Sequence, residues 1–74
     1  MIKIYTYSET CAQAGQIAYP AEGREDSADY VCHEYESEAA AIADARETLA
    51  IEANSGAAGA FARREALAII AHLS

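Results

Sequence analysis

The stretch ADYVCHEYESEAAAIADARETLAIEA, residues 28–53, decides the fold. Its first part, Asp29–Tyr35, mixes β-branched and aromatic residues and reads as a strand. Alanine, glutamate, arginine and leucine then take over, and these are strong helix formers. Ser37 stands at the junction as an N-cap, with Glu36 and Glu38 beside the positive end of the helix dipole. The same region holds most of the acid. Residues 22–52 contain ten carboxylates against two arginines, a net of −8, while the remaining residues sum to +1. The formal charge of −7 therefore belongs to the middle of the chain.

Period-two alternation assigns faces within the strand. Val31, His33 and Tyr35 share one side and Tyr30, Cys32 and Glu34 the other. Val31 and Tyr35 are expected to face the helices, with Glu34 outward beside Tyr30. In the following helix Ile42, Ala45, Leu49 and Ala53 fall on one stripe at helical spacing, expected to pack on the sheet. Asp44 and Glu47 project to the far side. Asn54-Ser55-Gly56 supplies a stop. A second helix is expected within residues 57–73, starting properly only after Gly59. Its apolar face is Ala62, Ala66, Ile69, Ile70 and Leu73, with Phe61 and Leu67 off that face on opposite sides. The short connection implies an antiparallel helical hairpin.

Upstream, Ile2–Tyr7 alternates as a strand, with Ile2, Ile4 and Thr6 on the inward face and Lys3, Tyr5 and Tyr7 on the other. Ser8 to Gly15 reads as a turn. Gln16–Tyr19 is a short second strand stopped by Pro20. Ala21 to Ser27, with Gly23 surrounded by charge, is the clearest loop. A meander is the economical strand order, because the connections are too short for a helical crossover. The fold class expected is α+β: a three-stranded antiparallel sheet followed by a two-helix antiparallel hairpin packed on one face.

Seventy-four residues make one domain, 1–74. Nineteen of them are alanine, so the core that such a chain assembles is thin. A homodimer through the apolar second helix would supplement it. Met1 leads directly into the Ile-Lys-Ile-Tyr alternation without a secretory leader, and no apolar run approaches the ~20 residues that cross a bilayer, so a cytoplasmic location is expected. In that compartment Cys11 and Cys32 are read as small apolar residues rather than a disulfide.

Chemistry finds little purchase. Cys32 and His33 are neighbours in a strand and point to opposite faces, which works against a dyad between them. Cys11, Cys32, His33 and His72 lack the paired short spacings of a zinc site. The four glycines make no phosphate-binding loop, and the carboxylates lack a cleft in which two could be tuned apart. Neither catalysis, a metal nor a cofactor is expected. Five basic residues against twelve acidic ones would repel a phosphate backbone, so direct nucleic-acid binding is not expected either.

Clustered carboxylates instead create a field that steers association with a basic protein, and proteins with large basic grooves are chiefly those that hold DNA or RNA. The residues expected to meet such a partner are Glu22, Glu25, Asp26, Asp29, Tyr30, Glu34, Glu36, Asp44 and Glu47, with tyrosines as aromatic anchors. In size, acidity and lack of catalytic motifs the chain resembles the small phage-encoded inhibitors of the anti-CRISPR type. That resemblance covers general character and carries over no individual residue. It implies non-catalytic blockage of a nucleic-acid-handling protein, such as a CRISPR effector complex, at its basic surface. The competing reading is a homodimerising structural or regulatory module whose acids only solubilise it.

Overall fold

Each periodic segment of the sequence becomes an element of the computed structural model, which describes every residue except Glu52 and Asn54. The strands are β1 (Ile2–Tyr7), β2 (Ile17–Ala18) and β3 (Tyr30–Tyr35). The helices are α1 (Glu38–Ala50) and α2 (Ala60–Leu73), the second preceded by a 3-10 turn at Ala57–Gly59. The class is the α+β arrangement expected: a three-stranded antiparallel sheet followed by two helices packed together on one face.

The strand order corrects the meander. It is β2-β1-β3, with the first strand in the centre. Residues 8–16 curl back through linked turns, with Cys11 N–H donating to the Ser8 carbonyl, Ala14 to Cys11 and Gln16 to Gln13 at 3.0–3.1 Å. That coil returns the chain beside β1 as the two-residue β2. The next 11 residues, Tyr19 to Asp29, then cross to the far edge of β1. No helix is needed for this crossing. Eleven residues reach up to roughly 36 Å when extended, against about 20 Å for the length of β1. The connection spends its surplus length on three successive turns, closed by Arg24 N–H to Ala21, Ser27 to Arg24 and Tyr30 to Ser27. It runs over the face opposite the helices. Glu25 there shares a groove with Lys3, Tyr5 and Ala18. Ala18 is buried although its register with Tyr5 puts it on that outer face.

On the inner face Ile4 meets Ala41 and Ala45 of α1 and Ala66 and Ile69 of α2. Ile2, Ile17, Tyr35, Leu49, Ile70 and Leu73 close around this centre. The Ser37 hydroxyl accepts the Ala40 N–H at 3.1 Å, the expected cap. The α1 stripe is shifted from its expected line. Ala41 and Ala45 are its buried members, Ile42 and Leu49 are half-buried, and Ala53 is exposed. The helix turns its alanines rather than its branched side chains inward, because two helices and a sheet meet there and the smallest groups give the closest approach. The stop expected at Asn54 lies outside the described residues. Before it, α1 closes at Ala50, with the Ile51 N–H still bonded to the Glu47 carbonyl. Among the described residues no helix is long and apolar enough to cross a membrane.

Gly15 fixes the coil against α2. It sits third in the turn Gln13–Gln16 with φ of 84°, the left-handed conformation that a side chain disfavours. A Cβ at this position would lie 2.7 Å from the Cβ of Arg64. Gly23 has a similar φ of 86°, with nothing within 4 Å of its would-be Cβ. Gly15→Ala is therefore expected to cost about 3 kcal/mol and Gly23→Ala about 1 kcal/mol, measured by urea unfolding. Equal costs at the two sites would remove the close helix approach from the explanation.

Candidate functional site

The outer face of the sheet follows from register. Lys3 opposes Glu34, Tyr5 lies between Ala18 and Cys32, and Tyr7 opposes Tyr30. Opposed residues share a face, so three tyrosines, Glu34 and Cys32 all project away from the helices. The Tyr7 and Tyr30 rings pack with centroids 5.7 Å apart. The crossing loop adds its acid here. Burial first, then Cys32, then the charges of Glu25 and Asp26 push the Tyr5 phenol above its ordinary value. Two loop carboxylates thus act on the middle of the tyrosine face. Lys3 is 3.9 Å from Glu34, an exposed pair that leaves the surface field largely intact.

Placed on this map, the expected partner-contacting residues divide. Glu25, Asp26, Tyr30 and Glu34 come together on or over the outer face. Glu22 is exposed in the same loop, and exposed Asp29 stands at the entry to β3, where the Cys11 thiol donates to its carbonyl at 3.6 Å. Glu36 occupies the turn into α1. Asp44 and Glu47 belong to the helical layer on the other side. Asp44 does not project to the far side of α1: its Oδ2 accepts the Tyr35 hydroxyl at 3.0 Å, which ties the helix to β3. Cys11 and Cys32 are free thiols, the first half-buried and the second exposed.

Behind the sheet lies a polar cluster that pattern-reading did not single out. Thr6, His33 and Glu65 meet where β1, β3 and α2 converge. Thr6 is 0 % exposed. Its hydroxyl donates to Glu65 Oε2 at 2.8 Å, and His33 Nε2 lies 3.0 Å from both oxygens. A hydroxyl has one proton, and here the carboxylate takes it. His33 Nε2 must therefore carry its own proton and share it between Thr6 Oγ1 and Glu65 Oε2. This polarity opposes nucleophilic activation, in which the imidazole nitrogen would accept the hydroxyl proton. The trio is a clasp between the two layers. Thr6 and His33 are legible in the sequence as inward-facing; Glu65 lies at i−4 from buried Ile69, and that spacing is the available signal.

Beside the clasp a cleft of about 110 Å³ opens, with Tyr35, Asp44 and Glu65 at its polar end and Ala45, Ala66 and Ile69 along its wall. Among the described residues no group of three His, Cys, Asp or Glu side chains is arranged to hold a metal ion. His72, at the last turn of α2, points its ring at exposed Tyr19, with ring centroids 6.1 Å apart. No protein-family model, curated protein or solved structure matches the chain.

Two tests follow from these contacts. Thr6→Val keeps the shape but withdraws one donor from a mostly buried carboxylate, and is expected to cost about 1–3 kcal/mol in denaturant unfolding. A neutral result would mean that Glu65 does not need the clasp. The Tyr35 phenol is pushed up to about 12, chiefly by burial and then by its bond to Asp44. Because the folded value lies above the unfolded one of about 10, Tyr35 stabilises the fold in full below that pH and loses the contribution as pH rises through the folded value. Unfolding free energy should accordingly decline over that alkaline window, and Tyr35→Phe should remove its share of the decline while costing about 1 kcal/mol at neutral pH.

Proposed function

We propose that this protein is a non-catalytic acidic binding protein that inhibits a nucleic-acid-handling protein by occupying its basic nucleic-acid-binding surface. A CRISPR effector complex is the instance that the resemblance to phage-encoded inhibitors implies. One observation carries the reading: Glu25 of the crossing loop shares a groove with Lys3 and Tyr5, in the middle of a face that also presents Tyr7, Tyr30 and Glu34. Carboxylates spaced among aromatic rings offer a Lys- or Arg-rich surface both charge pairing and ring faces for its cations. The helical layer stands behind this face as a support, held by the Thr6–His33–Glu65 clasp. Preorganised tyrosines lose little side-chain entropy on contact. Long-range attraction then accelerates encounter, and phosphate backbones are turned away by the same field.

A separate observation favours the second reading. Leu67 is 54 % exposed on α2. In a self-associating module this side chain would form the contact, and the acids would only solubilise the protein.

The test is a pull-down from host lysate washed at low and high salt, followed by titration of the recovered complex. Reversing Glu25, Asp26 and Glu34 together to lysine should weaken binding at low salt by roughly tenfold or more per charge removed from the interface, with the circular dichroism spectrum unchanged. Glu47→Lys, on the opposite layer, should have little effect. If the triple reversal leaves every interaction intact while Leu67→Glu abolishes one, the acidic face is not the binding surface and the second reading takes its place.

A further inference from the structure

The two edges of the sheet are built differently. On one side β2 pairs over two residues only, and Pro20, which has no N–H, ends it. On the other side β3 runs for six residues in unbroken register with β1, with no bulge, proline, glycine or lysine. A long regular edge of Tyr-Val-Cys-His-Glu-Tyr keeps only the Glu34 charge among the usual protections against pairing with another strand.

The hydrogen-bond phase of this edge follows from one bond. The Ser8 N–H donates to the Asp29 carbonyl at 2.9 Å, so Tyr7 and Tyr30 form a non-hydrogen-bonded pair. Val31, His33 and Tyr35 therefore direct their backbone groups at β1, and Cys32 and Glu34 direct theirs away from the sheet. Tyr30 also points outward, but its N–H is already taken by the Ser27 carbonyl at 3.2 Å. The open edge thus offers the N–H and C=O of Cys32 and Glu34 and the C=O of Tyr30.

We infer that β3 pairs antiparallel, across a two-fold axis at Cys32, with β3 of a second copy of this chain. A second copy fits this edge because the edge is self-complementary. In this register the Glu34 N–H of one chain meets the Tyr30 carbonyl of the other, twice, and the Cys32 groups bond to each other across the axis. Each Glu34 carboxylate comes opposite a Tyr30 phenol on the same outer face. An axis at Glu34 would oppose two like charges, and one at His33 would bring together two imidazoles already committed to Glu65. Cys32 is the smallest side chain in β3 and the exposed one suited to an axis. The pairing is isologous and closes, so it yields a dimer with a six-stranded sheet and no filament. This inference does not rest on the proposed function. It extends the tyrosine and carboxylate face across both copies.

The experiment is amide hydrogen exchange of the wild-type protein from micromolar to millimolar concentration, alongside sedimentation. The Cys32 and Glu34 amides should slow by about tenfold or more as the dimer forms, while the amides of Val31, His33 and Tyr35 remain protected throughout. In a Cys11→Ser background, an added disulfide-forming oxidant should link Cys32 to Cys32, because the Cα atoms of a hydrogen-bonded pair lie about 5.5 Å apart, inside the disulfide range. Cys32→Pro should give a folded monomer, since it removes only an outward-facing donor. Fast exchange at Cys32 and Glu34 at millimolar concentration overturns the inference, whether the protein sediments as a monomer or as a dimer formed elsewhere, such as at Leu67.

Discussion

A single buried hydroxyl sets the terms for this fold. Thr6 sits buried between sheet and helices, and its proton has one destination, the Glu65 carboxylate on α2. That bond, shared with His33, places three elements in one register. The apolar part of the core cannot do so with comparable specificity. Among the described residues, three of the five buried hydrophobic side chains in it are Ala41, Ala45 and Ala66. Alanines permit close approach but interlock weakly, so helices lined with them slide at low cost. A donor and an acceptor that must meet inside the protein do not slide, because separating them strands a mostly buried charge. Shape here comes from polar pairing and compactness from small residues.

The central position of β1 has the second largest influence. It leaves the outer face open along its middle, where Tyr5 lies, and makes the acidic connection cross that face instead of looping out at one end. A meander would have placed β2 in the centre and carried Glu25 and Asp26 to the margin. Strand order thus accounts for the meeting of tyrosine and carboxylate on one surface, while the same order gives the sheet one blunted edge and one regular edge.

Local features were readable in the sequence and distant ones were not. The strands at Ile2–Tyr7 and Tyr30–Tyr35, the Ser37 cap, the helix beginning after Gly59 and the opposite facing of Cys32 and His33 all rest on spacing within a few residues. The strand order depends on whether the connection of residues 19–29 turns back or crosses over, and its composition permits both. Asp44 was expected to point away from the sheet because helical periodicity alone put it there. The reach of Tyr35 back to it is a tertiary fact. The clasp escaped for the same reason: Thr6, His33 and Glu65 are separated by 27 and 32 positions and carry no shared motif. As for the acidic surface, the sequence showed how much charge there was but not that Glu25, Asp26 and Glu34 share one side while Asp44 and Glu47 share another.

The separation of 59 positions between Thr6 and Glu65 also bears on how the chain comes to be folded as it is made. β1 is made before both its neighbours, and the carboxylate it requires follows later still, on α2. Until that helix is synthesised, the hydroxyl and imidazole have no anion, and the inner face of the sheet has only α1 to cover it. Early folding by parts is thereby discouraged, and non-local contacts of this kind set a slow pace relative to a helical bundle of the same length. The nascent chain must remain soluble during that interval. The ten carboxylates of residues 22–52 precede α2 in the chain, and charge of one sign at that density repels its like between molecules.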